Sequence, residues 1–302
     1  MRHALEAPGA NPTLDAHPDL AVQIGRYSYR VQTRNGQSTY SVSDGKDSIT
    51  IPLRWIFGQH SQTWVLEKDG HFYESLVTYF PRDQVLATTP GDAGITPNTL
   101  TEAMGRELPF WETRNCFNCH ATNAIAGEKL TLDKLTPGIS CERCHEGSLQ
   151  HMSDAALGNF TTNPRPLKRM NADEVSDFCG QCHRTWDLVV RNHWKGPAFV
   201  RFQPYRLGNS KCFIGNDPRI SCLACHDPHQ PANRNLGYYD LKCLACHAES
   251  KSSNIGAAIR NCPVAKTNCV SCHMPKVERD NDHQSFTDHQ IRIVHPGDGY
   301  PN

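Results

Sequence analysis

The chain has 302 residues, enough for one large domain or two ordinary ones, yet only 38% are apolar and 8% aromatic, thin for a core of that size. Lysine plus arginine and aspartate plus glutamate each total 31, so the formal net charge is zero, which argues against binding nucleic acid or an acidic membrane through a broad basic surface. No stretch approaches the ~18 consecutive apolar residues of a membrane-spanning helix.

The start, MRHALEAPGANP, lacks the apolar h-region of a secretory signal. Residues 1–20 carry Pro8, Pro12 and Pro18 among small residues and are expected to form an extended arm. Residues 21–90 read as a small antiparallel β-module. Runs rich in β-branched and aromatic residues, Tyr27–Thr33, Ser38–Val42, Ser48–Ile56, Thr63–Glu67 and Phe72–Phe80, are punctuated by Asn35-Gly36, Asp44-Gly45 and Asp69-Gly70, the dipeptides of tight hairpins. Residues 81–110 are rich in Pro, Gly and Thr and read as a connection.

From Asn115 onward, helical pieces such as Ala172–Cys182 and Asn254–Arg260 alternate with Pro/Gly loops, with no sustained period. So little regular pattern cannot offset the entropy of ordering the chain, so something besides side chains must organise residues 91–302. The fourteen cysteines identify it. A pentapeptide recurs six times: Cys116-Phe-Asn-Cys119-His120, Cys141-Glu-Arg-Cys144-His145, Cys179-Gly-Gln-Cys182-His183, Cys222-Leu-Ala-Cys225-His226, Cys243-Leu-Ala-Cys246-His247 and Cys269-Val-Ser-Cys272-His273.

C-x-x-C-H is the signature of c-type haem attachment: two thiols bond the haem's vinyl groups, and the adjacent histidine is the proximal iron ligand. The competing reading is zinc. Cys225 and Cys243 have 17 residues between them, as in a zinc ribbon, but zinc gives no reason for a histidine after every second cysteine. A thioredoxin-like motif would not recur six times. Six c-type haems, one per roughly thirty residues, would themselves make the core and lie close enough to pass electrons. The expected fold is haem-organised, mainly short α-helices and loops, with the small β-module at its N-terminal side.

Sixteen histidines less the six proximal ones leave ten: His3, His17, His60, His71, His151, His193, His229, His283, His289 and His295. An electron-transfer haem fills both axial positions, and a second histidine gives a lower potential than methionine. Context favours His60, His151, His193, His229, His283 and His289 as distal ligands. His229 lies too near His226 to bind the same iron from the other side, but can reach a neighbouring one. His71 reads as exposed in a hairpin, and His3 and His17 as irrelevant or available to a neighbouring subunit. Cys212 and Cys262 belong to no motif; in an oxidising compartment they read as a disulfide, the alternative being two buried thiols.

Several stretches resemble the multihaem c-type cytochrome family that includes the tetrahaem cytochrome of ammonia-oxidising bacteria. The likeness rests on Gly138-Ile-Ser-Cys-Glu-Arg-Cys-His-Glu-Gly with His151 after it, Cys-Leu-Ala-Cys-His-Asp-Pro-His229, Cys-Val-Ser-Cys-His-Met-Pro-Lys276 and His283-Gln-Ser-Phe-Thr-Asp-His289. It implies electron transfer, with His151, His229, His289 and His283 as distal ligands. Glu146 departs from the glycine the family carries after the motif histidine, adding a carboxylate near a haem edge.

Three functions follow as expectations. The first is an electron carrier with six mostly bis-His haems, served by redox partner proteins such as other cytochromes or a membrane oxidoreductase. The second is an enzyme with one open haem acting on a small nitrogen or sulfur compound; the six unaltered motifs argue against it. The third is a subunit that self-associates into a filament or redox complex. Because haem attachment follows export, the location is expected to be periplasmic or extracellular and the sequence a mature form or one with a misassigned start.

Overall fold

The computed structural model describes residues 1–164, 167, 169–215, 219–247, 262–278 and 283–301. The chain divides into two compact units: residues 1–166 with 280–283, and residues 167–279 with 284–302.

The first unit opens with a short strand, Leu5–Glu6 (β1), and a one-turn helix, Pro12–Ala16 (α1). Ten strands follow, interrupted by one helix: Asp19–Ile24 (β2), Tyr27–Arg34 (β3), Gln37–Ser43 (β4), Ser48–Pro52 (β5), Trp55–Phe57 (β6), Thr63–Lys68 (β7), His71–Ser75 (β8), Val77–Phe80 (β9), Val85–Thr88 (β10), helix Leu100–Met104 (α2) and Gly105–Leu108 (β11). They pair antiparallel as β2-β3-β4-β5, β1-β6-β7-β8-β11 and β9-β10. The expected hairpin residues make the turns: Asn35 and Gly36, and likewise Asp69 and Gly70, all have positive φ, matching the twist of the strands they join. Pro52 closes β5 at a sheet edge, where its missing N–H breaks no ladder.

Alternation builds the core. Tyr29 and Val31 of β3 face Val42 and Tyr40 of β4 across the ladder. All four are buried and join Leu14, Trp64, Leu66, Tyr79 and Met104 in one apolar cluster. A second cluster gathers Leu5, Trp55, Phe57, Val65, Leu108 and Phe117.

The N-terminal twenty residues are not an extended arm. Leu5 and Glu6 pair with Phe57 and Ile56, Leu14 is fully buried, and Asp19 already belongs to a strand. Burying Leu5 and Leu14 outweighs the extended bias of the three prolines, two of which start short helices where no N–H is needed. The sheet also reaches past residue 90: Gly105–Leu108 pairs with Ser75–Phe72 inside the stretch read as a connection.

Helices Phe110–His120 (α3), Cys141–Cys144 (α4) and Ser148–Ala156 (α5) complete the first unit, which thus holds two of the six motifs. The second unit contains Ala172–His183 (α6), Trp186–Arg191 (α7), Gln203–Gly208 (α8), Cys222–Cys225 (α9), Leu236–His247 (α10) and Cys269–His273 (α11), the other four motifs falling on α6, α9, α10 and α11, with a two-stranded ribbon, Lys276–Glu278 against Ser285–Thr287. Helix α6 begins with a capping box between Asn171 and Glu174. The helix read at Asn254–Arg260 lies outside the described residues.

Candidate haem attachment sites

All six C-x-x-C segments are helical, and each ends its helix. Thiols at i and i+3 share a helix face, so each segment presents two sulfurs side by side with a histidine directly after them. This is the donor set of covalent haem. Among the described residues, no group of three or more His, Cys, Asp or Glu side chains is arranged to hold a bare metal ion, so Cys222, Cys225, Cys243 and Cys246 do not converge as a zinc ribbon requires.

The first motif is built onto the β-sheet. Phe117, its first spacer, is fully buried and meets Trp55 and Phe57 edge-on at 5.2 and 5.3 Å. Phe57 also contacts the His120 ring at 5.1 Å. The Ala4 carbonyl accepts from both Gly58 N at 2.9 Å and His120 Nδ1 at 2.7 Å. The second motif is tethered to the first through Arg143, whose guanidinium donates to Asn118 at 3.4 Å. Gly138, just upstream at φ +71°, lies where any Cβ would strike the Arg2 carbonyl.

In the second unit, the Cys179 thiol hydrogen-bonds the Cys222 thiol, which raises the Cys179 pKa. Cys225 lies near enough to Cys243 for their charges to interact, and α9 packs on α10. Cys243 in turn hydrogen-bonds Cys269. The helices that carry the third to sixth motifs therefore pack in chain order, α6 on α9, α9 on α10 and α10 on α11. Gly180 is required at its spacer position, because a Cβ there would lie 2.7 Å from the Thr185 side chain.

The histidines separate by environment. His120, His151, His273 and His289 each donate Nδ1–H to a backbone carbonyl, those of Ala4, Thr162, Arg292 and Thr287, at 2.6–3.0 Å. A carbonyl only accepts, so these rings carry their proton on Nδ1 and keep the Nε2 lone pair for a metal. Burial lowers the pKa of His120 and of His226, and pushes that of His289 down to about 4; the neutral imidazole is the ligating form. His226 and His289 have ring centroids 6.2 Å apart.

His145 is half-buried, whereas His183 and His247 are exposed. His283 packs on Phe80 at 4.6 Å, with Nδ1 3.1 Å from the Asp83 carboxylate. His229 is exposed and hydrogen-bonds Asp227 at 3.1 Å. His60 sits exposed in the turn after β6, and His193 is exposed at positive φ after α7. His71 is exposed beside Glu107, His3 beside Glu6, and His17 packs on Tyr79.

The disulfide expected between Cys212 and Cys262 is absent: both are free thiols. Cys212 is partly buried near Cys225 and Cys246, while Cys262 is exposed, its pKa lowered by the backbone N–H groups of Ala265 and Val264.

The polypeptide around the later motifs is poor in core. Both apolar clusters fall between residues 5 and 135. The second unit leaves Leu223 38%, Leu241 70% and Ile293 72% exposed, apolar surface that a bound macrocycle would cover. Sequence reasoning missed the carboxylates that frame these motifs. Glu142, a spacer in the second motif, accepts from Gly147 N, Ser148 Oγ and Leu149 N at the start of α5. Asp240, one turn before Cys243, accepts from Asn268 N and Cys269 N. Arg206 forms a buried bidentate pair with Asp288.

Residues 98–146, with the first two motifs, match the family model Cytochrome c554 and c-prime. Over 168 residues the chain is 26% identical to the high-molecular-weight cytochrome c of Nitratidesulfovibrio vulgaris strain Hildenborough, a match covering 53% of this chain and 28% of that protein. No solved structure matches the chain. Together with the six recurring motifs, these likenesses support a multihaem c-type cytochrome.

Proposed function

We propose that this protein is an extracytoplasmic electron carrier holding six covalent c-type haems, attached at the twelve motif cysteines with His120, His145, His183, His226, His247 and His273 as proximal ligands. One observation carries the reading: six helix ends present paired thiols and a histidine, and from the third motif to the sixth the helices that bear them pack in chain order. A c-type haem supplies a one-electron iron couple, which bis-histidine ligation sets at low potential.

The chain's own residues supply placement. Backbone carbonyls of Ala4 and Arg292 orient His120 and His273, Thr162 and Thr287 orient the candidate distal ligands His151 and His289, and Phe57 buttresses the His120 ring. His226 and His289, whose rings lie 6.2 Å apart, would together hold one iron. His60, His193, His229 and His283 complete the candidate distal set. The redox partners are other cytochromes or a membrane oxidoreductase; no helix among the described residues is long and apolar enough to cross a membrane.

The test is expression in a host able to mature c-type cytochromes. A red protein whose colour survives acid–acetone extraction and whose intact mass carries six haems is expected. All irons low-spin supports the carrier, and a high-spin iron would favour an enzyme. A colourless preparation loaded with zinc would overturn the reading.

A further inference from the structure

Helix α11, which carries the last motif, has no cap of its own. Asn268 occupies the N-cap position, but at φ +58° and ψ +35° its side chain makes no capping bond. A carboxylate from another motif-bearing helix fills the role. Asp240 Oδ2 accepts from Asn268 N and Oδ1 from Cys269 N, both at 2.8 Å. Asp240 is 6% exposed, so these bonds lie shielded from competing water. It sits at i−3 to Cys243 on α10, on the same face as that thiol, and α10 packs directly on α11.

We propose that Asp240 is a positioning residue that locks the fifth and sixth haem-attachment helices into one electron-transfer pair. The inference rests on the reading of the C-x-x-C-H segments as haem sites. A two-oxygen clamp to consecutive N–H groups fixes both the distance and the rotation of α11 relative to α10, which a single bond would not. Two covalently attached macrocycles inherit that geometry, because each is fixed to its helix at two sulfurs. The rate of exchange between neighbouring centres depends on their separation, so the carboxylate sets a step of the relay without touching a haem.

The test uses the full chain, matured with haem, as wild type and as Asp240→Ala, Asp240→Asn and Asp240→Glu. Intact mass counts the haems, and circular dichroism in the Soret band reads the coupling between neighbours. The expected result is an unchanged haem count, loss of one bisignate component in Asp240→Ala, a partial loss in Asp240→Asn, and recovery in Asp240→Glu, which keeps both acceptor oxygens. A wild-type Soret spectrum in a fully loaded Asp240→Ala protein overturns the proposal, even with a lowered melting temperature, since Asp240 would then be a helix cap and nothing more. If Asp240→Ala does not accumulate, Asp240→Asn carries the same two outcomes. A wild-type protein without covalent haem would refute the haem reading instead, and the mass distinguishes that failure.

Discussion

The imidazoles of His226 and His289 stand 6.2 Å apart, tilted by 38°, although 62 positions separate them in the chain. Each ring has its Nδ1 engaged elsewhere, His289 with the Thr287 carbonyl and His226 at 3.5 Å from the Tyr239 hydroxyl. Nε2 is then the atom of each ring that would take the iron proposed for this pair. Replacing His289 with alanine is expected to turn one haem high-spin and leave the others low-spin, read by electron paramagnetic resonance. His289→Met should keep that iron low-spin and raise its potential. An unchanged spectrum in both variants would dissolve the pair.

Asp92 offers a pH signature independent of the haems. It is 5% exposed, and its Oδ2 has no hydrogen-bond partner. Burial first, then the nearby Glu74 and Glu112 carboxylates, raise its pKa from 3.8 to about 6, against the opposing pull of Arg106. A carboxyl that is harder to ionise in the folded state favours folding below its unfolded pKa and loses that contribution as pH rises through the folded value. Wild-type stability should therefore fall relative to Asp92→Asn between about pH 4 and pH 6.5, by roughly 1–3 kcal/mol. Urea denaturation of both proteins across that range checks it; parallel curves would refute it.

Where the chemistry demands residues at fixed spacing, the chain declares itself. Two thiols and a histidine must lie within five positions to hold one haem, so all six C-x-x-C-H segments could be read as candidate attachment sites. Strands β3, β4 and β7 were legible because alternation and Asn-Gly or Asp-Gly turns are local signals, whereas the runs Ser48–Ile56 and Phe72–Phe80 each divide into two strands of different sheets, β5 and β6, and β8 and β9. Strand β1 and Gly105–Leu108 were not, because each is a short segment ordered by a partner strand distant in sequence. The pairing of His226 with His289 was hidden for the same reason. Asp240 was hidden because Asn268 looks like the local cap, and only its left-handed backbone removes it from that role.

The N-terminal segment is expected to be structural. Leu14 is fully buried among Tyr29, Trp64 and Tyr79, and Asn11 caps its helix by accepting from Leu14 N at 2.9 Å. Leu14→Ala should cost about 2–5 kcal/mol and Asn11→Ala about 1 kcal/mol, measured by denaturant unfolding of the first unit's tryptophan signal. An arm without contacts would give no change in either.

In the second unit, where apolar packing is sparse, the Arg206–Asp288 pair does work that a core would otherwise do. Arg206 is 1% and Asp288 0% exposed, and the two bonds between them measure 2.8 and 2.9 Å. Arg206 also donates to the Pro301 carbonyl and stacks over Tyr300 at 4.4 Å, while Arg292 donates to the same carboxylate at 2.6 Å. Removing Arg206 leaves the buried Asp288 charge with Arg292 as its remaining cationic partner, at a cost of up to about 3–5 kcal/mol. Arg206→Ala should therefore destabilise the second unit by that order. Arg206→Lys should recover only part of it, since an ammonium cannot make the bidentate contact. Because Asp288 precedes His289 directly, Arg206→Ala should also raise the high-spin fraction at the haem proposed for His289, linking a fold-holding ion pair to iron ligation. Denaturation and electron paramagnetic resonance on the same samples check both halves. A destabilised variant with an intact low-spin spectrum would separate them.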